Sequence, residues 1–563
     1  KETRFVPHSK LDYDIAIVGG GISGIYSGWR LLSNLYDSPI LRKWAGPGGK
    51  LKVAVFEGSN RIGGRLLSAR PPGFPDTVCE IGGMRYTSAQ PIVRSLVENE
   101  LKLPHYQQIV DQPENIAYLR RKRLRYSETQ NAANLPYNLD WAERQQLRPG
   151  SKADPSGLIG WAIGQVLPGV LTAKTNEELL QYLQTAKVDG TPLYHHGFWN
   201  LLARSMSNEA YQVARTMVGY DCLGSNANAV DLIPEVFDFT PDEQFYLLTG
   251  GYDLVPWTLQ ERFTGMGGEL VQGAWLESFD KASIEGGDHG VSLHFRGGRP
   301  PVTARAIILG MPRRSLELLT PAGPVLDPAQ APRVQYLMQS VEPVALYKLF
   351  VAYDHPWWQN VGVKQGRSLT DMPVRQCYYW PTDNTGKGHP PNNHALIMAY
   401  NDQLNVDFWA GLTAPRGDPA PRMFARTPFA EPHAAANDFE KRLRENWELH
   451  PAPHEMVMEM HRQLMRMHGV QYAPAPIDAA FMDWSVDPYG AGVHFWNRGY
   501  RSWEVLQEMT QPVSGFPCYI CGEAYSTVQT WAEGALQTAE IVLQKHLGLP
   551  APGWITGASS ASA

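Results

Sequence analysis

The stretch Gly19-Gly20-Gly21-Ile22-Ser23-Gly24 constrains this chain more than any other. It sets Gly19, Gly21 and Gly24 in a GxGxxG pattern, directly after the strand-like run DYDIAIV and at the head of the helical pattern ISGIYSGWRLLSNL. Strand, glycine turn and helix together make a diphosphate site. The glycines allow a tight turn and close approach of the ligand. The helix N-terminus, with Ile22 and Ser23, supplies N–H donors and the positive end of a dipole. The next strand, LKVAVFEGS, ends on Glu57 and Gly58, where an acidic side chain suits ribose hydroxyls. The insert SPILRKWAGPGGK places Glu57 further on than the usual spacing of about 20 residues.

A chain of 563 residues exceeds the size of one hydrophobic core, so two or three domains are expected. With 43% apolar and 19% charged residues it reads as soluble and globular. A net charge of −6 argues against nucleic acid as a partner. The most apolar run, LIGWAIGQVLPGVLTA, is too short and too broken to span a membrane. The five cysteines suggest no disulfide framework. Cys518 and Cys521 fall on a buried strand, where positions i and i+3 face opposite sides. The N-terminus shows no signal peptide, and Lys1 suggests that a segment has been removed. No Asn-x-Ser/Thr sequon is present.

Nucleotide-type elements lie at both ends of the chain. Residues 124–240 read mostly as helix, with 177–186 and 198–218 carrying helical spacing. Short strands return over 265–310, and CYICGEAYSTVQTWAEGALQTAEIVLQKHL reads strand, loop, helix. A single dinucleotide-binding domain assembled from distant segments explains this order. RRKRLR (120–125) reads as a solvated hairpin, and residues 551–563 as a flexible tail.

Arg61-Ile62-Gly63-Gly64-Arg65, close behind Glu57, resembles the RxGGR motif of the flavin amine oxidase superfamily. GGYDLVP (250–256), RAIILGMPRRSLELL (305–319) and Cys521-Gly522-Glu523 with Thr530-Trp531-Ala532-Glu533-Gly534-Ala535 resemble further segments of it. The resemblance implies an α/β and α+β architecture. A GR2-type, Rossmann-like FAD domain would comprise 10–70, 247–330 and 484–550, a mixed-sheet substrate domain 71–123, 236–246 and 331–483, and a helical domain 124–235. It implies FAD contacts at Gly19, Gly21, Ile22, Ser23, Gly24, Glu57, Gly58, Arg65, Gly83, Met84, Arg85, Trp275, Glu523, Trp531, Ala532 and Ala535. Arg65 would hold the diphosphate, and Glu523 ribityl or phosphate groups. DPYGAGVHFWNRG (487–499) lacks the cysteine through which some members bind flavin covalently, so FAD is expected to be non-covalent. His494 in this loop reads as structural.

Within the superfamily, EIGGMR (80–85) resembles the GxMR element of L-amino acid oxidases, whose arginine pairs with the substrate α-carboxylate. A guanidinium fork matches a carboxylate bidentately. The resemblance then implies Arg85 and Tyr378 on the carboxylate, with Tyr379 the alternative because Trp380 shifts the register of RQCYYWP. It implies Lys348 beside flavin N5 and Trp531 as a wall of the pocket. Asp221, Glu235 and Asp483 lie where a carboxylate would select basic side chains, or where it would cap a helix or pair with an arginine. The implied reaction is oxidative deamination of an L-amino acid by O2, in a homodimer or higher homo-oligomer. Amino acid 2-monooxygenase, monoamine or polyamine oxidase, and a non-catalytic carrier like the GDP-dissociation inhibitors are the alternatives.

Overall fold

The computed structural model describes residues 11–74, 77–150, 153–221, 225–238, 243–284, 289–380, 394–413, 422–426 and 437–556, with side chains in the helix ending at Asp238 described to residue 236. Residues 1–10, Cys222 and the tail beyond 556 lie outside them, as does most of the proline-rich loop 411–428.

A seven-stranded sheet forms around Tyr13–Val18. Val53–Phe56 and Val302–Gly310 flank it in parallel, Glu269–Val271 lies beyond Val53–Phe56, and Cys518–Cys521 pairs in parallel with Val302–Gly310. His289–Phe295 and Leu276–Ser283 extend the sheet antiparallel. Strand alternation divides the apolar residues between two covered faces, which is why these strands read as continuous apolar runs. Ile15, Ile17, Ile308 and Cys521 pack with the helices Ile22–Ser33, Leu254–Gly265 and Ala532–Ile541. Ala16, Val18, Ile307 and Cys518 face the opposite core. The cysteine pair is thus split between faces. Ile22–Ser33 and Ala532–Ile541 are locked by Arg30 Nε on Glu540 at 2.8 Å, with Tyr26 donating to the same carboxylate at 2.6 Å.

A second seven-stranded sheet runs in the order Asp478–Asp483, Leu346–Tyr353, Ala395–Asp402, Gln376–Trp380, Gly366–Thr370, Ile116–Leu119, Lys122–Arg125. A small antiparallel sheet joins Tyr86–Thr87, Phe245–Leu248 and His105–Gln108. Helices between Tyr126 and Asp238 pack over one end of the second sheet around a core of their own.

Five details depart from the sequence reading. The boundary at 246/247 falls inside Phe245–Leu248, and that at 123/124 inside Lys122–Arg125, because each strand completes a sheet. Residues 198–218 form two helices, Phe198–Leu202 and Asn208–Val218. Ser207 starts the second by accepting the Ala210 N–H at 3.1 Å. The basic hairpin is not wholly solvated: Arg123 donates to the Met467 carbonyl at 2.7 Å and Arg125 to that of Glu114 at 2.7 Å. Finally, residues 551–556 are anchored, since Trp554 stands against Tyr26 and Trp29 and the Thr556 N–H reaches Ser95 Oγ at 3.0 Å. No helix among the described residues is long and apolar enough to cross a membrane.

Candidate cofactor and substrate cavity

A cavity of about 1310 Å³ opens where the parallel sheet, the second sheet and the helices meet. At one end lies the glycine turn. Gly19 adopts φ +107, and a Cβ there would stand 2.4 Å from the Gly310 carbonyl oxygen. Gly19, Gly21, Ile22 and Ser23 line the cavity. Gly24 does not, because its place is against the chain, where a Cβ would lie 2.0 Å from the Gly19 oxygen. No side chain caps the helix Ile22–Ser33, and its first turn carries no acid, so its N-terminus opens directly on the cavity.

Glu57 stands beside this turn. Its carboxylate accepts the N–H of Gly20 at 2.7 Å and of Ser59 at 2.8 Å. Gly58 is required next, since the Trp275 ring lies 2.8 Å from where its Cβ would be. Trp275 lines the cavity at this end and is 38% exposed.

Arg65 lines the middle of the cavity. It donates to the Gly492 carbonyl at 2.8 Å and pairs with Glu523 at 3.0 Å. Glu523 also accepts the backbone N–H groups of His494 at 2.9 Å and Thr530 at 3.0 Å, and His494 Nδ1 lies 3.0 Å from it. Burial alone would raise this carboxyl, but Arg65 and then His494 outweigh burial and hold it at about 2. The sequence reading gave Glu523 a ligand to hold. In the structure its oxygens are taken up by protein donors, and what it holds is Arg65. Trp531, Ala532 and Ala535, at the start of the helix Ala532–Ile541, complete this wall.

The glycines before Arg85 have a definite cause. Gly83 N–H reaches the Arg65 oxygen at 2.8 Å and Gly82 N–H the Leu67 oxygen at 2.9 Å. A Cβ on Gly82 would lie 2.2 Å from the Arg65 oxygen. What the backbone approaches closely is therefore the RIGGR loop. Gly82→Ala must push the two loops apart, so we expect a loss of about 1–3 kcal/mol, read as a lowered Tm and a lower flavin content after purification.

Arg85 is 7% exposed. It donates to Gln108 Oε1 at 3.0 Å and lies over the Phe245 ring at 3.9 Å. The other buried arginines among the described residues each have a carboxylate: Arg30 has Glu540 at 2.8 Å, Arg375 has Asp221 at 2.9 Å and Arg442 has Asp253 at 2.7 Å. Arg85 has none, and it faces the cavity. Lys348 stands near it, donating to the carbonyls of Glu80 at 3.0 Å and Gly82 at 2.5 Å. Burial lowers the Lys348 ammonium toward neutrality, although Glu80 opposes this. Met84, Gly83, Tyr400 and Trp484 also line this end.

Alternation on Gln376–Trp380 separates the two tyrosines. Tyr379 points away, its hydroxyl 2.7 Å from Ser368 Oγ and 2.7 Å from His468 Nε2. Tyr378 packs on the Met84 side. It lies behind the cavity wall, and its buried hydroxyl has no hydrogen-bond partner. Tyr220, absent from the sequence reading, lines the cavity. Burial and then Tyr378 raise its hydroxyl, while Arg85 and Arg367 lower it. Asp221 is consumed by Arg375, and Asp483 accepts the Ser485 N–H at 2.8 Å. Of the three acids weighed for specificity, only Glu235 reaches the cavity. Gln108 and Phe245 also escaped the sequence reading. Neither belongs to a motif, and only strand pairing brings them to Arg85.

The model of flavin containing amine oxidoreductases matches residues 22–412. The chain belongs to this family. Aplysianin-A of Aplysia kurodai is 27% identical, covering 95% of this chain and 90% of its own length. Achacin of Lissachatina fulica is 23% identical over 96% and 94%. The L-amino-acid oxidase of Mus musculus is 22% identical over 65% of this chain and 51% of its own. The structure of wild-type putrescine oxidase bound to putrescine shares the fold, with TM-score 0.60 and 18% identity, over 95% of this chain and 99% of that one.

The residues present fit the family's flavin. The uncapped helix N-terminus, Gly21, where a Cβ would meet Gly64 Cα at 3.9 Å, and the Arg65 guanidinium provide for an anion along one continuous cavity. Trp275, Glu57 and Arg85 all line this flavoprotein's cavity.

Proposed function

We propose that the protein is an L-amino acid oxidase using non-covalent FAD. One observation carries the reading: among the described residues, Arg85 is the buried arginine that lacks a carboxylate, and it faces the cavity that holds the glycine turn. Burying a cation without a counter-ion is costly, so such a group implies a ligand that supplies one. An α-carboxylate does so. A monoamine or a diamine would bring a second positive charge instead.

In this reading the N-terminus of Ile22–Ser33 and Arg65 would hold the diphosphate, and Glu57, near Trp275, would hold the ribose. When bound, a flavin would supply the acceptor for the hydride that leaves Cα while the amine gives up a proton, and those two electrons and two protons would reduce O2 to hydrogen peroxide. The protein's part is positioning. Arg85 takes the carboxylate through the N–H groups that Gln108 leaves to the cavity; Tyr378, behind the cavity wall, becomes a second donor only if its unpartnered hydroxyl turns into the cavity. Holding the carboxylate fixes Cα relative to the cavity wall formed by Trp531, Tyr400 and Trp484. Lys348 Nζ, lowered by burial and anchored to two carbonyls of the Arg85 loop, holds or releases a proton near neutral pH. The product is an imino acid, which water hydrolyses to a 2-oxo acid and ammonia.

The test is the visible spectrum of the purified protein, followed by anaerobic addition of L-amino acids one at a time. Flavin bands that bleach with an amino acid, and stay unchanged with putrescine or benzylamine, are the expected result. Bleaching by the amines alone would overturn it. Formation of an amide in place of a 2-oxo acid would establish the monooxygenase reaction on the same site.

A further inference from the structure

Arg85 immediately precedes Tyr86–Thr87, an edge strand of the small antiparallel sheet. On the central strand, Phe245 pairs with Thr87 on one side and with Gln108 on the other. Strand register therefore delivers Gln108 and Phe245 to the arginine together. Gln108 is buried, and its amide is oriented at both ends: Oε1 accepts from Arg85 at 3.0 Å, and Nε2 faces Met84 Sδ at 3.8 Å. Phe245 offers its ring face to the guanidinium at 3.9 Å. Both partners stabilise a cation, and neither carries charge. Gln108 takes one N–H and leaves the rest of the fork to the cavity.

We propose that Gln108 and Phe245 form a charge-neutral cradle that fixes the Arg85 guanidinium while keeping its full charge for the substrate. Gln108 is then a positioning residue that sets selectivity for carboxylate-bearing substrates. The inference rests on the reading that Arg85 takes the α-carboxylate. Glutamate is nearly isosteric with glutamine, so a carboxylate at position 108 would reach the same nitrogen. It would pair with Arg85 as Glu540 pairs with Arg30 and Asp253 with Arg442. The site would then hold a resident anion in competition with the substrate.

The experiment uses the holoenzyme and two probes read by perturbation of the flavin spectrum: benzoate, and its neutral isostere benzamide. Gln108→Glu should weaken benzoate by about 100-fold. Gln108→Met, which removes the hydrogen bond but adds no charge, should weaken it by less than about 10-fold. Benzamide should bind all of them alike, and in turnover the Gln108→Glu loss should fall on KM rather than on kcat. Equal effects of Glu and Met on benzoate, or a parallel loss of benzamide, would show a merely structural glutamine and overturn the proposal. Failure of Gln108→Glu to retain flavin where Gln108→Met retains it would also overturn it, because the expected ion pair stabilises the loop. A wild type that ignores benzoate, or an Arg85→Ala variant that binds it normally, would instead remove the carboxylate reading of Arg85 itself.

Discussion

Replacing Arg85 by alanine is expected to raise KM for the preferred L-amino acid by about 100- to 1000-fold while the protein stays yellow. The magnitude follows from losing a buried, charge-assisted contact to a carboxylate, about 2–5 kcal/mol. Flavin should remain because Arg65, the glycine turn and Glu57 are untouched, and because the Arg85 side chain is held by Gln108 and Phe245 rather than by the elements that form the glycine turn. The measurement is a steady-state series with flavin content determined on the same preparation. Unchanged KM would sink the assignment. Loss of flavin would mean that Arg85 serves the cofactor rather than the substrate.

Glu523→Gln is expected to act in the opposite order, on cofactor and stability before kinetics. One buried carboxylate satisfies Arg65, His494 and the Thr530 N–H. Removing its charge leaves Arg65 without its counter-ion, at a cost of about 3–5 kcal/mol. The same network gives a pH dependence. The carboxyl sits at about 2 in the folded protein against 4.5 as the usual value, a difference worth about 3 kcal/mol. Because the folded value is depressed, the stabilisation is complete above about pH 5 and is lost as pH falls toward about 2. Thermal unfolding of the wild type should therefore drop steeply across that acid range. The variant should start lower and show a shallower acid limb. A variant with wild-type Tm and flavin content would show that Glu523 holds nothing of consequence.

The sequence by itself determined the elements whose signals are local. GxGxxG after DYDIAIV specified strand, turn and helix, because φ +107 at Gly19 and the close contact at Gly24 exclude side chains there. Apolar alternation specified which faces Ile17 and Ile307 cover, and the same period placed Cys518 and Cys521 on opposite sides of the sheet. Arg65, Arg85, Lys348 and Trp531, to which the family resemblance pointed, all line the cavity. Tertiary structure alone decided their partners. Glu523 faces Arg65 across more than four hundred residues, a pairing set by the docking of two loops. Tyr378 and Tyr379 are adjacent, and only the side of the sheet that meets the core separates an unpartnered hydroxyl from one held by Ser368 and His468. Asp221 and Glu235 are both carboxylates of the helical region, yet only the assembled fold sets Asp221 against Arg375 and brings Glu235 to the cavity. The neutral cradle of Arg85 carries no sequence signal at all. Gln108 and Phe245 are ordinary strand residues, and they act together only because hydrogen-bond register is a property of the assembled sheet.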